Sequence, residues 1–183
     1  MIRSSYLNNV NYGDVIECIT FLQNPKKIVE IGILDGFSLL TFAKTASPAC
    51  DISAYDIFNK FNGNHANYDD CTEKFKMYKN VSIKDGDYYK IYNDIEDSSI
   101  DILHIDIANN GDVFQFAFDN YMPKITNDGI IILEGGSIER DNVQWMHKYN
   151  KPPILPIILK NSRYLNIKTI GTMPSITIAR RYK

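Results

Sequence analysis

Five times along this chain a short apolar run meets an acid, and a helical pattern follows. The runs lie at 27–32, 51–56 ("DISAYD"), 81–87 ("VSIKDGD"), 100–107 ("IDILHIDI") and 130–134 ("IIILE"). Helical spacing of apolar residues follows at 37–46, 67–79, 88–94, 111–125 and 139–149. Such a succession demands a doubly wound, Rossmann-like α/β sheet with right-handed crossovers and helices on both faces. The unbroken apolarity of "IIILE" predicts burial on both faces, as in a parallel sheet. A further helix is expected at 13–24, stopped by Asn24-Pro25, and a turn at Asn127-Asp128-Gly129. The proline-rich "KPPILPIILKNS" predicts irregular chain. "LNIKTIGT" and "SITIARR" predict two last strands around a turn containing Pro174, with antiparallel pairing. At 183 residues the chain suits one domain, 1–183, with an N-terminal segment and helix at 1–24 and the sheet core at 25–183.

The acids carry the functional signal. Glu30, Asp56, Asp106 and Glu134 stand at or next to strand ends, and Asp85 and Asp87 follow the third strand. Singly, an acid there caps a helix or solvates a turn. Together they would face one crevice, beyond the carboxyl ends of the strands, where ligands of such sheets bind.

"IVEIGILDGFSLL", 28–40, supplies the loop at that crevice. A dinucleotide loop wants G-x-G-x-x-G, but the three positions are Gly32, Leu34 and Phe37. A phosphate loop of the G-x-x-x-x-G-K-[ST] kind fails because Phe37-Ser38 follows Gly36. Glu30 and Asp35 would repel phosphate. A cationic, phosphate-free cofactor fits better. S-adenosylmethionine carries a sulfonium and an ammonium, and backbone N–H groups near Gly32 and Gly36 are suited to its carboxylate. Asp56, twenty residues after Gly36, stands where an acid takes ribose hydroxyls.

The stretches "VEIGILDGFS", "AYDIF", "IKDGDYY", "LHIDIANNGD" and "GIIILEGG", in this order, resemble class I S-adenosylmethionine-dependent methyltransferases, in particular the small O-methyltransferase-like group. The resemblance spans roughly residues 25 to 180. It implies a seven-stranded, mostly parallel sheet with an antiparallel final strand. By matched position it implies that Glu30, Gly32, Gly36 and Ser38 bind the methionine part, Asp56 the ribose, and Asp85, Gly86 and Asp87 the adenine, with Tyr88 as a wall. Asp106 would lie near the transferred methyl as leading base, with His104, Asn109 and Glu134 around it. In metal-dependent relatives, acids at the fourth and fifth strand ends hold a divalent cation, so Asp106 and Glu134 are the candidate ligands for Mg²⁺. Asn109 stands where the group carries a histidine, and Glu134-Gly135-Gly136 replaces its usual His-Asp or Asp-Asn.

The resemblance makes a hydroxyl of a small molecule or sugar the first choice of acceptor. A net charge of −2 and the absence of D-P-P-Y or N-P-P-Y argue against nucleic acid. Three scattered cysteines, no apolar leader and no membrane-length run point to a cytoplasmic protein without a membrane partner, and a homodimer is compatible. His104 is expected to be buried in the sheet, His65 to lie in a loop over the crevice, and His147 to reach substrate or face solvent. Phe114, Phe116, Phe118, Trp145 and Tyr149 are expected in the core. Two rival classes stay open: a binding protein of the same fold without turnover, and a nicotinamide-dependent reductase or epimerase using Tyr164 and Lys168.

Overall fold

The computed structural model describes residues 3–7, 11–61 and 63–183. Its elements are α1 (Gly13–Gln23), β1 (Lys27–Ile31), α2 (Phe37–Thr45), β2 (Asp51–Asp56), α3 (Tyr68–Phe75), β3 (Val81–Asp85), α4 (Tyr88–Ile91), β4 (Ile100–Ile105), α5 (Gly111–Phe116), β5 (Ile125–Glu134), α6 (Ile138–Asp141), α7 (Gln144–Lys148), α8 (Leu155–Asn161), β6 (Leu165–Gly171) and β7 (Ser175–Arg181). The seven strands form one sheet in the order β3-β2-β1-β4-β5-β7-β6. β1 to β5 pair in parallel, and β7 runs antiparallel to both β5 and β6.

Strand alternation divides the core in two. Val29, Leu103 and Ile131 face one side, where Phe114, Tyr121 and Ile154 pack over them. Ile28, Ile102 and Ile132 face the other, under Ile16, Leu39 and Phe42. Both faces are thus buried, as the apolar strands required. Glu30 and His104 pair across β1 and β4 and share the face of Ile28 and Ile102.

The chain reverses direction at the crevice with local devices. Gly36 has φ of 71° and starts α2. Asn67 accepts a hydrogen bond from the Asp70 amide at the start of α3, and Asn110 does the same for Asp112 at α5. Both are N-caps of the expected kind.

Four regions depart from the sequence reading. The helix expected at 111–125 is α-helical only to Phe116 and continues as a π-helix over Ala117–Tyr121 and a 3₁₀ turn over Met122–Lys124. Residues 127–129 belong to β5 rather than to a turn before it. β4 advances from Ile100 to Ile102 while β5 advances from Ile125 to Ile130, so the extra residues bulge out of the ladder. Arg181 on β7 donates to the carbonyls of Ile125 and Met122, both at 2.8 Å, which braces the chain where it enters the bulged strand. The helix expected at 139–149 is two short ones, α6 and α7. The segment expected to be irregular contains α8, with Pro156 in its first turn, where proline costs no hydrogen bond. Asp141 of α6 caps α8 from a distance, accepting from the Ile154 and Leu155 amides at 2.7 and 2.9 Å.

Candidate functional site

Two cavities open at the carboxyl end of the sheet. The first, of about 450 Å³, lies over β1 and β2. Its walls include Gly32 and Leu34 from the β1–α2 loop, Ser38 from the first turn of α2, Asp56 from β2, Gly86 to Tyr89 after β3, and Asp106 after β4. The second, of about 420 Å³, lies over β4 and β5, between Leu7, Glu134, Arg140, Trp145, Met173 and Pro174. Ser5, Asp106, Ile107 and Ala108 line both, so the cavities meet at Asp106.

The loop after β1 is shaped by close approach. At Gly32, φ is 94°, and a Cβ there would stand 2.1 Å from the Asp106 carbonyl oxygen. Glycine at this point lets the ends of β1 and β4 touch, which brings the two loops to one place. Leu34 adopts φ of 49° despite its side chain, a conformation costing about 1 kcal/mol, and its apolar body forms cavity wall. Asp35, turned away, pairs with Arg3 of the N-terminal segment through contacts of 2.5 and 2.9 Å, and this guanidinium holds its carboxyl down at about 2.

Beneath the cavity runs a buried polar chain. Tyr6 Oη lies 2.8 Å from His104 Nε2, and His104 Nδ1 lies 3.0 Å from Glu30 Oε1, which also accepts from the Ser38 hydroxyl. Burial pushes the Tyr6 phenol well up, so it stays protonated and donates. His104 then donates through Nδ1 to Glu30, an assignment set by the network. Glu30 and His104 are fully buried. Glu30 therefore does not line the cavity and reaches its wall only through Ser38; its Oε2 has no partner among the described residues.

Asp56 is 6% exposed, and its carboxylate accepts from the amides of Ile33 and Phe58 and from Asn64 Nδ2, at 2.8, 2.9 and 2.5 Å. It ties the loop after β2 to the loop after β1. Asp87 lines the cavity and caps α4 through Tyr89, whereas Asp85 is exposed and paired with Lys60 at 2.6 Å. Tyr88 lines the cavity and is anchored by its hydroxyl on the Val113 carbonyl at 2.8 Å.

Asp106 accepts from Ser5 Oγ at 2.5 Å. Burial, and then the charge of Glu134, push its carboxyl up to about 7, only partly offset by the Ser5 hydrogen bond. Glu134 and Asn109, expected beside it, are otherwise engaged. Both Glu134 oxygens accept from Arg140, at 2.7 and 2.8 Å. Asn109 is fully buried, and its amide donates to the carbonyls of Ile105 and Glu134 at 3.0 and 2.9 Å, which ties the ends of β4 and β5 together. Candidate Mg²⁺ ligands thus reduce to Asp106 with an oxygen pair already gripped by a guanidinium. Among the described residues no three His, Cys, Asp or Glu side chains converge as a metal site. The residues present do not fit the cation.

His65 and His147 are exposed, and neither lines a cavity. Tyr164 is 75% exposed, and Lys168 sits on the edge strand β6, so the reductase pair is absent from the crevice. Phe114 and Phe118 are core as expected, but Trp145 is cavity wall and Tyr149 is exposed. Sequence reasoning missed Ser5, Leu7, Arg140 and Trp145. Only the place of Arg140, six residues after Glu134, carried a trace, since a basic residue near a strand-end acid offers a partner.

The sheet thus carries a cavity bordered by Gly32, Asp56 and Asp106 beyond its strand ends. A family model described as a methyltransferase domain matches residues 29–134. The chain belongs to this methyltransferase-domain family, which is an enzyme family of transferases. No curated protein matches significantly. Among solved structures, the fold is similar to the O-methyltransferase TomG from Streptomyces achromogenes, involved in tomaymycin synthesis and solved with S-adenosylmethionine (TM-score 0.72, 13% identity, 97% of this chain and 82% of that one). It is also similar to an O-methyltransferase from Bacillus cereus in complex with S-adenosylhomocysteine (TM-score 0.69, 13% identity, 99% and 84%). A third is the S-adenosylhomocysteine-bound methyltransferase PaMTH1 of Podospora anserina (TM-score 0.68, 16% identity, 97% and 81%). At these identities the likeness establishes the fold. No helix among the described residues is long and apolar enough to cross a membrane.

Proposed function

We propose that the chain transfers a methyl group from S-adenosylmethionine to a hydroxyl of a small molecule. The observation that carries this reading is the meeting of two cavities at Asp106. A transferase needs donor and acceptor on either side of one reacting centre, and the 450 Å³ cavity is within the range of about 300–1,000 Å³ usual for small ligands.

The donor cavity suits a cation. Asp56, Asp87 and Asp106 line it, and its one basic lining residue, Arg3, is neutralised by Asp35. Gly32 leaves backbone room for the methionine carboxylate near the start of α2, with Ser38 beside it and Glu30 fixing Ser38 from below. Gly36 is outside the cavity lining, packed against Phe75, and serves to turn the chain into α2. Asp56 is assigned to the ribose, and Gly86 and Asp87 to the adenine, with Tyr88 as wall. Asp85, paired outward with Lys60, borders this end.

When bound, the cofactor supplies an electrophilic methyl whose bonding pair stays on sulfur as the new C–O bond forms. The chain's part is alignment, exclusion of water and proton removal. Asp106 takes the acceptor's hydroxyl proton. Its raised pKa makes it a useful base near neutrality. Ser5 already donates to Asp106 as an acceptor hydroxyl would. His104 supports the site from beneath through Glu30 and Tyr6, and Asn109 holds the β4 and β5 ends in register. Three free cysteines, two of them buried, support a cytoplasmic setting.

The test is a screen of hydroxylated small molecules with labelled S-adenosylmethionine, read as label in product and as S-adenosylhomocysteine formed. One methyl transferred per S-adenosylhomocysteine is expected. S-adenosylhomocysteine binding with no transfer to any acceptor would replace this reading with that of a binding protein.

A further inference from the structure

The acceptor cavity has a cation of its own. Arg140 faces Glu134 fork to fork, and its Nη2 also reaches the Asn109 carbonyl at 3.3 Å. The Arg140 and Glu134 side chains are 6% and 5% exposed, so this is a desolvated, bidentate pair. The Trp145 ring lies 5.0 Å from the guanidinium carbon and adds a cation–π contact. Two strands' ends converge on the pair: Glu134 closes β5, and Asn109 follows β4.

A divalent cation shared by Asp106 and Glu134 would have to share the two Glu134 oxygens that Arg140 already grips, and it would stand beside a positive guanidinium, whose charge repels it. Charge balance points the same way. Asp106 and Glu134 are opposed by Arg140 alone, which leaves one excess negative charge at the junction of the cavities when both acids are ionised. A sulfonium cancels it. A metal ion or an anionic acceptor would unbalance it again. Apart from the Ser5 hydroxyl, which is engaged with Asp106, the other walls, Leu7, Ile107, Ala108, Met173 and Pro174, are apolar. Arg140 Nη1 is buried with no partner among the described residues, so the guanidinium is held by Glu134, the Asn109 carbonyl and the Trp145 ring.

We propose that Arg140, locked on Glu134, takes the place of a divalent cation in the acceptor cavity, and that the site accepts neutral, largely apolar molecules through a single hydroxyl. A metal shared with the acceptor grips it through neighbouring oxygens. A guanidinium fixed to the protein sets no such requirement. The inference rests on the methyl-transfer reading, and the proton, as there, leaves the acceptor for Asp106 while the C–S pair stays on sulfur.

Free Mn²⁺ measured by electron paramagnetic resonance tests it, in samples of the whole chain saturated with S-adenosylhomocysteine. Wild type is expected to take up no stoichiometric Mn²⁺. Arg140→Ala, which frees Glu134 beside Asp106, is expected to gain one Mn²⁺ with at least tenfold tighter binding, and the double variant R140A/E134Q to lose it. Uptake of one Mn²⁺ by wild type that E134Q abolishes would overturn the proposal, and this comparison decides the matter even where Arg140→Ala does not fold. A second arm runs the acceptor screen in EDTA and in Mg²⁺, over neutral mono-hydroxylated compounds, vicinal diols and hydroxy acids. Turnover in the neutral class, unchanged within twofold by EDTA, is expected. Turnover confined to hydroxy acids or to Mg²⁺ would overturn it. Failure to bind S-adenosylhomocysteine at all would instead sink the methyl-transfer reading.

Discussion

Asp106 holds opposing demands in one carboxyl. A base must be ionised, yet its surroundings raise its pKa to about 7. A raised carboxyl pKa contributes stability that is full at low pH and is lost as pH rises through the folded-state value. Asp106→Asn should therefore match wild type near pH 4 and exceed it by about 4 kcal/mol at pH 8, read from denaturant unfolding at both pH values. The same variant should lose methyl transfer by about 10²-fold or more. Equal stability at pH 8, with activity retained, would remove Asp106 from the role of base. Gly32 makes the second residue-scale prediction. A Cβ 2.1 Å from the Asp106 carbonyl forces β1 and β4 apart, so Gly32→Ala should cost at least about 2 kcal/mol in the same unfolding experiment. A loss below about 0.5 kcal/mol would show that the approach is not tight. Gly32, Asp56 and Asp106 were legible because strand periodicity and the glycine spacing fix where each stands. Arg140 and Trp145 were not, since nothing in local spacing says that α6 and α7 fold back over the β4 and β5 ends.

At the scale of elements, propensity was a good guide where helix and strand carry their own signals. α2, α3 and α5 start near their capping residues, and β2 spans the six residues expected. It failed where the deciding partner is remote. α8 begins amid prolines, and its cap is Asp141, thirteen residues before Ile154. Asp141→Ala should lower stability by about 1–2 kcal/mol, measured by thermal or denaturant unfolding, because two amides at the helix start lose their acceptor. An unchanged midpoint would mean that Pro156 and packing alone hold α8. The bulge in β5 is of the same kind: Arg181, far along the sequence, braces the chain where it enters that strand. The N-terminal segment also escaped local reading. Nothing in residues 3–6 names their partners, yet Arg3 pairs with Asp35, Ser5 with Asp106, and Tyr6 is fully buried against His104.

For the whole molecule, the informative pattern is the placing of acids at one edge of a parallel sheet. It excludes a phosphate cradle by charge and by the bulk of Leu34, and it leaves a crevice suited to a sulfonium. The same edge is divided into two cavities by chain from distant parts of the sequence: Ser5 near the start, and Asp106 just after β4. In the proposed reading, the donor lies over β1 and β2 and the acceptor over β4 and β5. Calorimetric titration of the unmodified chain, with S-adenosylhomocysteine in one experiment and NADH in another, tests this division of the edge most directly. The account predicts one S-adenosylhomocysteine per chain, with a Kd on the order of micromolar, and no heat from NADH. Saturable binding of NADH with none of S-adenosylhomocysteine would contradict it.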